Sequence, residues 1–160
     1  MTDALLLRVA LEGISAGFIA VAFAMLFSVP TRYLRYVAVG GLLTRVARTL
    51  LYSGLGVEIA VATFLACCLC SLYFIYQAPR LHVPRPVFTV ASIIPLVPGM
   101  DAYTCLMSLY GIIDAPSDLI VQNAYLIMHH GMRCFAILLA MCFGIAIPPL
   151  FFYRYRRIGV

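Results

Sequence analysis

Side chains that carry charge or a proton are scarce in this sequence, and those inside its apolar runs are where chemistry can occur: Glu12, Arg45, Arg48, Asp101, His129, His130 and Arg133. Gly41, Arg45, Arg48 and Tyr52 recur at i, i+4, i+7 and i+11, which is one face of a helix. Glu12 shares a stripe with Ala16, Ala20 and Ala24 at four-residue spacing. Small residues so spaced let another helix approach closely, and an acid on that stripe is costly in lipid unless paired. By helical rise, Glu12 and Arg45 each lie about 12 Å from the outer ends of their segments. Two readings follow. One is a structural ion pair, with Arg8 bonding Glu12 along its own helix and Arg48 snorkelling outward. The other is an arginine facing an aqueous cavity, where it attracts an anionic substrate group.

A second constellation is backbone chemistry. Within IPLVPGMDAY, residues 94–103, Pro95, Pro98 and Gly99 break an apolar run, because each proline removes a donor and clashes with the carbonyl four residues back. Freed carbonyls and amides must find protein or water in a bilayer. Asp101 stands where a second half-helix begins, with Thr104 and Ser108 on its face and Tyr103 beside it. It reads either as the cap of that half-helix or as part of a substrate and proton site at a broken helix. Gln122, His129 and Arg133 share a later helical face, with Asn123 and His130 a residue round. Adjacent histidines cannot both face one metal from a regular helix, so no metal site is expected. Hydrogen bonding at the outer interface or a proton relay through one histidine fits better.

The elements that position these residues are set by lipid. The chain is 64% hydrophobic and 11% charged, with a mean hydropathy of +1.04, far from the soluble range of about 45–50% apolar and about 25% charged. An all-α integral membrane protein is expected, as one membrane domain over residues 1–160, whose first segment is too long and too charged for a removable signal peptide. All basic residues are arginine and the formal charge is +5, but they fall at segment ends, which excludes a nucleic-acid footprint. The six cysteines lie in apolar runs and read as reduced core residues without zinc-like spacing.

Five helices are expected, at about 4–27, 36–52, 57–77, 86–113 and 118–153, the fourth broken at Pro95–Gly99. The connections after the first, third and fifth hold Arg32, Arg35, Arg80, Arg85, Arg154, Arg156 and Arg157, and the other turns hold none. The positive-inside rule then puts the N-terminus outside and the C-terminus in the cytoplasm. If the second segment lies in the interface instead, four crossings leave arginines on both sides. The fifth is long for one span, so its first part is an extension, a tilted continuation or a half-helix before Gly131, and Pro148–Pro149 should bend its inner end.

FAMLFSVP at 23–30, the Ser53–Gly54 turn, PVFTVASIIPLVPGMDAYTCLMSL at 86–109 and the Ile147–Pro148 end with its basic tail resemble the small, YjjB-type subunit of the threonine/serine exporter family. The resemblance covers most of the chain, with Pro95, Pro98, Gly99 and Tyr103 at matching positions. It implies a secondary exporter made of two dissimilar membrane halves, a larger partner subunit of the same family, proton coupling, and threonine, serine or succinate as substrate. The expectation is a multi-pass protein of the bacterial inner membrane that is not an enzyme and has no cofactor. Pro95, Pro98, Gly99, Asp101, Tyr103, Thr104 and Arg45 would bind a small carboxylate, and Asp101 or Glu12 would carry the coupling proton. Stoichiometry, including a homo-oligomer, is left open. A membrane-embedded enzyme or an assembly subunit are the competing classes. The first needs His129, His130, Arg133 and the acids to converge. On this reading Asp101, Glu12 and Arg45 form one polar layer in the outer half of the membrane.

Overall fold

The computed structural model describes residues 2–81, 85–113 and 116–158. His82, Asp114 and the connections around them lie outside the described residues. Six α-helices follow in order: α1 Thr2–Leu26, α2 Leu34–Thr49, α3 Ile59–Leu81, α4 Arg85–Ile93, α5 Gly99–Ile112 and α6 Ser117–Ile158, with no strand among the described residues. The chain divides into two compact units, residues 1–96 with 140–160, and residues 97–139.

In the larger unit α1 ends because Ser28 turns into the left-handed region at φ 58°. Ser28 N–H reaches Met25 O and Val29 N–H reaches Ala24 O, both at 3.0 Å. This Schellman closure uses up the last carbonyls of the helix, and Pro30 prevents its resumption. The small stripe of α1 then packs on the glycines of α2. A methyl group on Gly41 would stand 2.6 Å from Ala20 Cβ, and one on Gly13 2.8 Å from Val46 Cγ2. Ala16, Ala20 and Ala24 are buried, so the stripe is a packing surface with Glu12 at one end. On the opposite side of α2, Phe74 of α3 stacks on Phe88 of α4 at 5.9 Å, and a methyl group on Gly40 would meet Phe74 and Ser92 below 3 Å.

α6 runs unbroken through Gly131, Pro148 and Pro149, so of the three alternatives for its first part the separate half-helix before Gly131 does not form. Pro149 has no N–H for the carbonyl of Ile145, and Ser71 Oγ of α3 donates to that carbonyl at 3.3 Å instead. Gly144 lets the two helices touch, since a methyl group there would sit 2.5 Å from Cys67 Cβ.

Among the described residues, three helical stretches are long and apolar enough to cross a membrane, Leu6–Leu26, Ile59–Gln77 and Leu119–Phe152. The pair Phe88–Leu96 and Gly99–Ile112 adds a fourth if it is one broken span. The expected second crossing is the 16-residue α2, about 24 Å long at 1.5 Å per residue against a hydrocarbon core of about 30 Å. It ends in a π-helical turn, Leu50–Gly54, not at a simple Ser53–Gly54 turn, and the reversal comes at Gly56, with φ 67°. The break in the fourth segment lies where its prolines put it. α4 tightens into a 3-10 turn at Ile94–Leu96, and α5 restarts at Gly99.

Candidate functional site

The packing of α1 on α2 brings Glu12 to Arg45. Glu12 Oε1 accepts from Arg8 Nε at 2.8 Å, and Oε2 accepts from Arg45 Nε at 3.2 Å and from Thr49 Oγ1 at 2.8 Å. The ion pair and the Arg8 contact are those the spacing suggested. Arg48 does not snorkel outward: its Nη1 donates to the carbonyl of Leu96 at 2.8 Å. Arg45 Nη1 likewise donates to the carbonyl of Pro95 at 3.3 Å.

These two bonds answer the accounting problem posed by the break. An uninterrupted helix would give the Pro95 and Leu96 carbonyls the amides of residues 99 and 100, but Gly99 N–H goes to Val97 O at 2.8 Å. Guanidinium groups, with fixed multiple donors and weak hydration, take the orphaned carbonyls. The unwound backbone at Pro95–Leu96 therefore presents acceptors, which repel a carboxylate. Any anion at this place is met by the arginines.

Around them lies an open recess of about 110 Å3 lined by Arg8, Glu12, Arg45, Arg48, Thr49, Tyr52, Ser53 and Ile59. Three guanidinium groups against one carboxylate leave it an excess of two positive charges. Thr49, Tyr52 and Ser53 add hydroxyl groups that can donate or accept. Tyr52 and Ser53 come from the π-helical turn, an irregularity that recurs at functional sites. Sequence reasoning had placed Arg45, Arg48 and Tyr52 on one face and missed Thr49 and Ser53. Thr49 follows Arg45 by one helical turn, a signal that was there to read.

In the unit of residues 97–139, α5 packs on the first half of α6. Gly131 lies 3.4 Å, measured from its would-be Cβ, from Cys105 Sγ. Asp101 is not the cap of α5. That position belongs to Pro98, with no side-chain capping bond, and Asp101 is the third residue of the helix. Its carboxylate turns to α6 instead: Oδ1 lies 2.7 Å from His130 Nδ1 and Oδ2 lies 3.8 Å from Arg133 Nε. His129 stands edge-on to His130 at 5.2 Å and stacks on Tyr125 at 5.9 Å. Thr104 spends its hydroxyl on Met100 O at 2.9 Å. Tyr103 is exposed, and Gly99 has open space about its Cα. Asp101, His130 and Arg133 are thus brought together, while Tyr103 and Thr104 point elsewhere. Among the described residues no group of three or more His, Cys, Asp or Glu could hold a metal ion.

Comparison with known proteins matches residues 12–151 to the family described as Threonine/Serine exporter, ThrE. The chain belongs to the threonine/serine exporter family. A relative from Haemophilus influenzae, described as an uncharacterized protein, is 32% identical over 158 residues, which is 96% of this chain and 50% of the relative. This family member therefore spans about half the length of that curated relative. No solved structure matches it. With its apolar helices, family membership makes it a membrane protein of a transporter family.

Proposed function

We propose that the chain is the smaller membrane half of a proton-coupled secondary exporter in the bacterial inner membrane, moving threonine, serine or a succinate-like dicarboxylate out of the cell. The larger half is a partner subunit of the same family. The observation that carries this reading is the arginine-lined recess. Its surplus positive charge and hydroxyl groups suit a carboxylate, and two of its arginines, Arg45 and Arg48, are already tied to the broken helix through Pro95 and Leu96. Matching half of a longer relative supports a transporter assembled from two parts.

In this reading α2 with its π-helical turn is the second of five crossings, α1 starts outside, and the C-terminus is cytoplasmic, as the arginine distribution requires. The chain is one membrane domain. Arg45, with Arg48, provides the substrate's counter-charge, and Glu12 holds Arg45 in place. Pro95, Pro98 and Gly99 keep the helix open. Asp101 serves proton coupling. Tyr103 and Thr104 drop to a secondary role, because neither shares Asp101's contacts.

The test is export of labelled threonine, serine and succinate from cells carrying this chain with and without its partner subunit, alongside Arg45→Gln. Accumulation outside that needs both subunits and Arg45 is expected. Export indifferent to Arg45→Gln and Asp101→Asn points to an assembly subunit. No accumulation of any of the three ends the exporter reading.

A further inference from the structure

The geometry points to His130, held by Asp101, as the group that takes up and releases the coupling proton, with Arg133 balancing the charge. This rests on the proton-coupled reading above and names the atoms that serve it. Ionisable residues inside an apolar span are costly and need a purpose or a partner. Asp101, His130 and Arg133 lie within candidate spans, at side-chain exposures of 16%, 24% and 36%.

An ionised carboxylate can only accept, so a 2.7 Å contact from its Oδ1 requires the proton of His130 on Nδ1. Nε2 is then the nitrogen free to exchange. Uptake adds one proton at Nε2 and converts the ring to imidazolium. Release returns the neutral ring, with its Nδ1–H still donated to Asp101. Asp101 and Arg133 carry opposite charges, so the cluster is neutral when unloaded and carries one positive charge when loaded. Among the described residues of this unit, His129 stands edge-on to His130 at 5.2 Å, Cys134 follows His130 by one helical turn, and Cys105, whose Sγ contacts the Ile127 carbonyl at 3.8 Å, faces the neighbouring Gly131. His129 stacks on Tyr125, while the carboxylate of Asp101 is bonded to His130. Asp101 is here a positioning residue, and His130 carries the proton.

Two measurements decide the matter. In liposomes holding the chain with its partner subunit, export of labelled succinate or threonine driven by a pH gradient is compared with exchange of labelled for unlabelled substrate without a gradient. His130→Gln keeps a donor toward Asp101 but cannot ionise. It is expected to lose gradient-driven export by tenfold or more while exchange stays within about twofold. A variant with both rates intact overturns the assignment. Independently, 15N-labelled imidazole signals of the purified protein, with His130→Gln identifying its own signal, are expected to show a single proton, on Nδ1, at alkaline pH and a second proton at Nε2 on acidification. A proton on Nε2 alone at alkaline pH, or a ring that keeps one state throughout the acidification, overturns the assignment as well. Wild-type liposomes that neither exchange nor export a carboxylate sink the proposed function, and the imidazole signals still decide the proton site.

Discussion

Glu12→Gln separates two roles of one carboxylate. Glu12 receives hydrogen bonds from Arg8, Arg45 and Thr49. Glutamine has the same size, but one of its two terminal groups donates, so one of the three donors meets another donor. Hydrogen bonds to a charged group contribute about 1.5–3 kcal/mol and neutral ones about 0.5–1.5 kcal/mol. Weakening the Arg45 and Thr49 bonds by about 1 kcal/mol each gives a loss of about 2 kcal/mol, to which the exposed Arg8 pair adds at most about 1 kcal/mol. The variant should melt several degrees lower in detergent.

Its affinity should move the other way. Removing the carboxylate raises the recess from two to three excess positive charges. A substrate carboxylate about 7 Å from the lost charge gains roughly 2.4 kcal/mol at an effective dielectric constant of about 20. Allowing half of that to be lost as the released arginines rearrange leaves about 1.2 kcal/mol, roughly eightfold tighter binding. Equilibrium dialysis of labelled succinate against the purified protein with its partner subunit reads this directly, beside a melting curve. A folded, less stable variant that binds succinate no more tightly than wild type refutes the recess as the carboxylate seat.

Arg45→Met with Arg48→Met should weaken succinate binding at least tenfold in the same dialysis and leave the Pro95 and Leu96 carbonyls unpartnered, at about 1–3 kcal/mol each on thermal denaturation. Ser71→Ala strips the donor from the carbonyl that Pro149 orphans, with an expected loss of about 1–3 kcal/mol. Adding Pro149→Ala, which restores the helical amide, should recover most of that loss in the melting curve. Gly144→Ala forces a methyl group to 2.5 Å from Cys67 Cβ and 2.9 Å from Phe64 O. About 1–3 kcal/mol is expected, and Cys67→Gly should relieve it only in part, because the backbone carbonyl remains. Ser28→Gly should raise the melting temperature, since a serine at φ 58° carries strain of about 1 kcal/mol that glycine does not.

Membrane class, the broken fourth segment, the small-residue stripe of α1 and the pairing of Glu12 with Arg8 and Arg45 were all legible in the sequence. Each depends on composition or on contacts whose spacing follows helical periodicity, and lipid makes both strict: apolar length sets the spans, and prolines break them wherever they stand. What lay beyond the sequence was where orphaned backbone groups find partners. The Pro95 and Leu96 carbonyls are about fifty residues from Arg45 and Arg48, and the Ile145 carbonyl is 74 residues from Ser71. Asp101 showed the same limit. Local rules left it either a helix cap or a member of a substrate and proton site and named no partner for it, and the approach of Gly131 to Cys105 brings His130 within 2.7 Å. The sequence alone determined which groups would be left needing a partner. Only the tertiary structure decided which partner each received, because that choice depends on the depth and rotation at which two helices meet, and side chains far apart in the chain set both.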